Sequence, residues 1–184
     1  MTERPSTSES RRSWFNIVLV LAASAVFGLT ALPRLQPSAH KLRGQEAPDF
    51  ALPVLQSADS WDRVRLSDLR GKVVLLDFWA SWCGVCRNQA PILDEVARQF
   101  RSQDLVVLGV NTGDQPTEAM ALTQRLGLSY RSLLDGDGSV AEAYRASALP
   151  TLVLIDSSGR IAEVRQGLVR KNELERLVQQ VLSS

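Results

Sequence analysis

The run VVLLDFW at residues 73–79, followed within four residues by Cys83 and then Cys86, constrains the fold more than any other stretch of the chain. Its strand-forming residues are bounded by Gly71 and the cysteines and are apolar except for Asp77, so the pattern is that of a strand buried on both faces. Beyond the cysteines, Ile92, Leu93, Val96 and Phe100 recur at helical spacing through residues 86–100. The central unit is therefore strand, cysteine pair, helix. Asp77 is the anomaly within it. A carboxylate in an apolar strand loses solvation, and its pKa rises towards the range useful for general-base work. Trp79 and Trp82 supply a rigid apolar wall beside it.

The same alternation continues along the chain. Residues 105–111 (LVVLGVN) form a strand, and residues 117–127 form a helix that Thr117 would cap and Gly127 would end. SLLD is a short strand, VAEAYR a short helix and TLVLID a further strand. SSGR then turns the chain into IAEVRQG, which alternates and would pair back antiparallel. Residues 171–182 close as an amphipathic helix with Leu174, Leu177, Val178 and Val181 on one face. On the N-terminal side, residues 45–56 and 61–66 look extended, and LSDLRGK turns the chain before the central strand. The expected fold is α/β, a mixed central sheet flanked by helices with an N-terminal extension of extended strands. DGDG, from Asp135, lacks the later glycine and glutamate of a calcium loop and is expected to be a turn.

Composition narrows the chemistry. The 184 residues suffice for one domain, and the formal charge of +1 provides no basic field for nucleic acid. The single histidine, His40, stands in a linker-like stretch far from the cysteines, so a closed Cys/His zinc site lacks ligands. Two cysteines are also too few for a disulfide-stapled scaffold. Two residues separate Cys83 from Cys86, a spacing that closes a small disulfide ring when the first lies at a helix N-terminus. There the unpaired N–H groups and the helix dipole favour a thiolate. Cys83 would attack a substrate disulfide and Cys86, one turn inside the helix, would resolve the mixed disulfide. The second thiol needs a proton acceptor, for which Asp77 is the candidate.

These residues carry a resemblance. DFWASWCGVC is similar to the active-site strand and helix of thioredoxins. Together with APDF, LSDLRGK and LPTLVLID it resembles the membrane-anchored, extracytoplasmic thioredoxin-like branch of the TlpA, ResA and CcmG type, over residues 45–184. The resemblance implies a thioredoxin fold, a cis Pro150 beside the active site, and a substrate-binding face that includes Trp82, Gly84, Val85, Leu149 and Pro150. It implies no cofactor beyond a redox-active Cys83–Cys86 disulfide, and no metal. Two positions depart from the branch. Gln89 stands where many members carry glutamate, with Asp77 where they often have asparagine, and Val85 stands where many relatives have proline. Residues between the cysteines influence thiolate stability, so these departures bear on reduction potential.

Residues 1–13 are polar and expected in the cytoplasm, and residues 14–32 run without a charge. As a helix rising about 1.5 Å per residue, that run crosses most of a hydrocarbon core roughly 30 Å thick. The one clear Ala-x-Ala, residues 23–25, lies within the run, which favours an uncleaved signal-anchor over a cleaved signal peptide. SRRSWF is taken as an ordinary positive flank rather than a twin-arginine signal. Residues 33–44 would be a tether, holding the domain of residues 45–184 outside the cytoplasmic membrane of a bacterial envelope.

The leading expectation is a monomeric reductase of protein disulfides, with apocytochrome c among its substrates and a membrane thiol partner that recharges it. The alternatives are a disulfide-forming oxidant of the same fold and a Cu(I) carrier, which would lack the expected excess of methionine and histidine. An antioxidant peroxidase of the peroxiredoxin kind would need proline and threonine at Leu76 and Ala80.

Overall fold

The computed structural model describes residues 41–55 and 62–184. The tail and apolar run expected at 1–32, most of the tether and Trp61 lie outside the described residues. No helix among the described residues is long and apolar enough to cross a membrane.

Two short strands, β1 (Ala51–Pro53) and β2 (Arg63–Arg65), pair antiparallel, and a 3-10 turn at Leu66–Leu69 leads into β3 (Val73–Trp79). The redox helix α1 (Gly84–Gln99), β4 (Leu105–Thr112), α2 (Pro116–Leu126), β5 (Arg131–Asp135), α3 (Ser139–Ala143), β6 (Thr151–Ile155), β7 (Ile161–Gln166) and α4 (Lys171–Leu182) follow. The main sheet has the order β5-β4-β3-β6-β7, with β3, β4 and β5 parallel and β6 and β7 antiparallel. This is the thioredoxin-like α/β fold.

Strand β3 is buried at every position, because it lies at the middle of the sheet with helices on both faces. The period of two sorts its side chains. Val74, Leu76 and Phe78 enter a core with Val140, Ala141 and Tyr144, whereas Val73 and Leu75 enter the core built with Leu93, Val96 and Phe100 of α1 and Leu174 and Val178 of α4. Asp77 falls on this second face. Pattern alone therefore directs the carboxylate towards the redox helix.

The N-terminal extension seals the opposite face. Phe50, Leu52 and Val54 are buried there, and the Tyr144 hydroxyl donates to the Pro48 carbonyl at 2.7 Å. Leu42 is buried in the same core and the Gly44 N–H donates to the Ile161 carbonyl, so packing reaches back into the stretch expected to be tether. Helix α2 also differs at its start. Pro116 occupies its first turn and Gln115 is the N-cap, without a side-chain bond, because proline's fixed φ suits that position and its missing N–H is not needed there. Thr117 is thus inside the helix. Gly127 ends it at φ 58°, the left-handed conformation expected of a C-terminal glycine.

Candidate active site

The sheet and α1 bring the cysteines to the C-terminal end of β3. After Trp79 the chain makes a tight turn closed by the Cys83 N–H donating to the Ala80 carbonyl at 3.1 Å, and Cys83 becomes the N-cap of α1. Its sulfur accepts the Cys86 N–H at 3.1 Å. The sulfur therefore takes the place usually held by an N-cap oxygen, where free N–H groups and the helix dipole stabilise negative charge. Cys83 and Cys86 are joined as a disulfide with their Cα atoms 5.3 Å apart. Cys83 is the more accessible of the two, at 7% against 2%.

Beneath the disulfide, Asp77 is buried and its Oδ1 has no hydrogen-bond partner. Burial pushes its carboxyl up to about 7. A cavity of about 10 Å³, close to the space of one water molecule, is lined by Asp77, Trp79, Cys86, Thr123 and Tyr130. Cys86 shares this cavity and Cys83 does not line it. The pairing of acid with inner sulfur follows from β3 and α1 together: the alternation of the strand sets Asp77 on the helix side, and Cys86 is the cysteine one turn into the helix. Tyr130 also lines the cavity, and no local sequence pattern marks it. Its phenol is driven well above the ordinary range by burial, and then by the charges of Asp77 and Asp94, so it remains protonated.

Gly109 is paired with Asp77 across β3 and β4. A Cβ there would stand 2.8 Å from both the Trp79 Nε1 and the Ser132 Oγ, so the Trp79 indole occupies the space a side chain would need. Trp82 is instead 63% exposed, and its Nε1–H donates to the Gly113 carbonyl at 2.9 Å. The adjacent Asp114 organises the turn before the cysteines. Its carboxylate accepts from the Ser81 N–H, the Ser81 hydroxyl (2.8 Å), the Asn111 amide (2.8 Å) and the Gln115 N–H (2.8 Å). Burial raises its pKa, but the bonds from Asn111, Ser81 and Gln115 outweigh that effect and the net shift is downward. The signal in the sequence was NTGD at a strand end, but its meaning depends on the Trp79 to Asn111 register.

On the other side of β3, the Leu149–Pro150 peptide bond is cis. Thr151 pairs with Phe78, which sets Pro150 level with the point where β3 runs out towards the cysteines. Leu149 packs against the apolar cluster containing both sulfur residues. Gly84 and Val85, in the first turn of α1, are exposed. The residues expected at the site thus converge from β3, α1 and the β6 entrance.

The AhpC/TSA family model matches residues 43–164. The thiol-disulfide oxidoreductase ResA of Geobacillus kaustophilus is 33% identical over 75% of this chain and 77% of its own. A Chlorobium tepidum structure provisionally named thiol:disulfide interchange protein DsbE superimposes with a TM-score of 0.70 at 32% identity, covering 76% of this chain and 97% of that one. A secreted thiol-disulfide isomerase from Corynebacterium glutamicum gives a TM-score of 0.69 at 25% identity, covering 76% and 86%. By sequence, fold and the paired cysteines, the chain belongs to the AhpC/TSA family and, within it, to the thioredoxin-like thiol-disulfide oxidoreductases of the ResA and DsbE kind.

Proposed function

We propose that the chain is a membrane-tethered, extracytoplasmic reductase of protein disulfides. The observation that carries the disulfide chemistry of this reading is the buried carboxylate of Asp77, its Oδ1 without a hydrogen-bond partner, in one cavity with Cys86. The Cys83 thiolate attacks one sulfur of a substrate disulfide, forming a mixed disulfide and releasing the other substrate sulfur as a thiolate. Cys86 then yields its proton to Asp77, directly or through one water, and attacks the Cys83 sulfur. The second substrate thiolate leaves, the substrate has gained two electrons, and Cys83–Cys86 is oxidised. Trp82, Gly84, Val85, Leu149 and Pro150 form the face that holds the substrate backbone and its apolar neighbours.

In an oxidising compartment the pair returns to the dithiol only through a donor, for which a membrane thiol protein is the fitting partner. The apolar run at residues 14–32 would hold the domain beside that donor, and the description of the Corynebacterium relative as secreted agrees with an extracytoplasmic site. Apocytochrome c is a substrate of the required type, a chain whose paired cysteines must be reduced.

Reduction potential tests the direction of transfer. A reductase is expected at about −200 mV or lower, in the range of glutaredoxins and thioredoxin, and a value near about −120 mV would reverse the assignment to an oxidant. A Cys86→Ser variant is expected to accumulate a mixed disulfide through Cys83. Trapping through Cys86 in a Cys83→Ser variant instead would exchange the two roles.

A further inference from the structure

Asp77 needs a way to return the proton it takes. Once Cys86 has closed the disulfide, its sulfur can no longer accept that proton. The other polar groups nearby are no better suited. The Thr123 hydroxyl donates to the Met120 carbonyl at 2.9 Å, and the Tyr130 phenol keeps its own proton. Asp94, whose charge reaches Tyr130, is raised by burial but lowered further by Ser129 and Arg98, so it stays ionised. Gln89, fully buried one turn beyond Cys86 on α1, accepts the Val169 N–H at 2.7 Å and does not titrate. The proton therefore has to leave through water.

A route for water is built into the packing of α1 against α2. Beside the Asp77 cavity lies a cleft of about 680 Å³, whose lining includes Trp82, Arg87, Gly113, Glu118, Leu122 and Arg125. All six except Leu122 are exposed, so the cleft opens to solvent. Arg87 and Leu122 line the inner cavity as well. The helical repeat gives Leu122 its two faces: it stands with Glu118 and Arg125 on the cleft and with Thr123 and Leu126 on the cavity. Arg87 directly follows Cys86 on the opposing helix. Burial is the cause of the raised Asp77 pKa, with no lowering by Arg87. A guanidinium inside the cavity would stabilise the carboxylate, so the charged head of Arg87 stays on the cleft side and its alkyl stem closes the seam.

We propose that Arg87 and Leu122 form a water gate between cleft and cavity, through which Asp77 discharges its proton after each turnover. The proton passes from the carboxylic acid to a water entering from the cleft and then to a buffer base in bulk solvent. Asp77 is left as the carboxylate that the next resolution needs. The two are positioning residues, acting on Asp77 through the water they admit. The inference rests on the reading above that Asp77 is the proton acceptor for Cys86.

The test follows the Asp77 proton itself, in the oxidised full-length protein in detergent. At about pH 6 Asp77 holds its proton while ordinary carboxyls have lost theirs, so transfer into D2O shifts one carboxylic-acid carbonyl stretch. Loss of that band in Asp77→Asn identifies it, and stopped-flow infrared times the exchange. Leu122→Ala is expected to speed exchange by about tenfold, the scale of removing about two buried methylenes from the closed seam. Arg87→Ala should act in the same direction from the exposed side, without touching the buried core. Arg87→Met keeps the stem and should exchange as wild type does. Leu128→Ala, at a residue that lines the cavity but not the cleft, should also leave the rate unchanged. Exchange unmoved by both Leu122→Ala and Arg87→Ala would overturn the inference. So would exchange raised as much by Leu128→Ala, or as fast in Arg87→Met as in Arg87→Ala. Mixed disulfides that resolve equally fast in Asp77→Asn and wild type would instead defeat the proton-acceptor reading, whatever the exchange rates.

Discussion

Asp77 lies in β3 and Asp114 in the turn that follows the neighbouring strand β4, both close to the cysteines, and they are opposites. Asp77 is buried with an unpartnered oxygen and is pushed up to about 7. Asp114 stands half-exposed in the turn after β4 with donors from Ser81, Asn111 and Gln115, and its carboxyl is held below its ordinary value. On the proposed mechanism, the difference separates a carboxylate that changes protonation during the reaction from one that holds a loop. A chain that needed Asp77 only for structure would supply it with donors, as it supplies Asp114.

The comparison is broken most severely through Asp77. Between the unfolded carboxyl near 3.8 and the folded value of about 7, the native state binds the extra proton, so stability falls as pH rises through that window. The loss amounts to about 4 kcal/mol, fully present above pH 7. Asp77→Asn cannot ionise and escapes it. Denaturant unfolding at pH 4 and pH 8 should show the variant gaining several kcal/mol on wild type at the higher pH, while its mixed disulfides resolve more slowly. Equal slowing of the first attack and of resolution would return Asp77 to a structural role.

Asp114 should respond with the opposite sign. Its folded pKa is lowered, so its contribution is present above the unfolded value and is lost as pH falls through the folded one. Asp114→Ala is expected to cost about 2 kcal/mol at pH 7, limited by solvent screening at a half-exposed site. The cost should shrink in acid, and the pH dependence of resolution should keep its wild-type shape. Unfolding curves across pH, paired with rapid-quench rates, check both halves.

Two smaller changes sharpen the boundary between these regions. Gly109→Ala would force a methyl against the Trp79 indole and Ser132, and overpacking of this kind costs about 1–3 kcal/mol. Thermal melts should register it, with the Trp79 emission shifted. Thr117→Ala should change stability by less than about 0.5 kcal/mol, since no capping bond is lost. A loss of about 1 kcal/mol would mean that Thr117 caps the helix after all.

Much of this arrangement is legible in the sequence because it is local. The bounds of β3 and α4 follow from composition and periodicity, and the face on which Asp77 lies follows from the strand's period of two. What escaped depends on register and distance. Asp114 acquires its meaning only when β3 and β4 align Trp79 with Asn111, and the partner of Gln89 lies 80 residues away. Tyr130 enters the cavity from the residue just before β5, with no local pattern to announce it. Pro116 displaced Thr117 as the start of α2 because two plausible helix starts were adjacent and proline's geometry prevailed.

The pH profile of mixed-disulfide resolution, in wild type and in Asp77→Asn, tests the central claim most directly. The account predicts a wild-type rate that rises with an inflection near pH 7, as Asp77 becomes available to take the Cys86 proton, and a slower variant without that inflection. The same inflection in both proteins would contradict it.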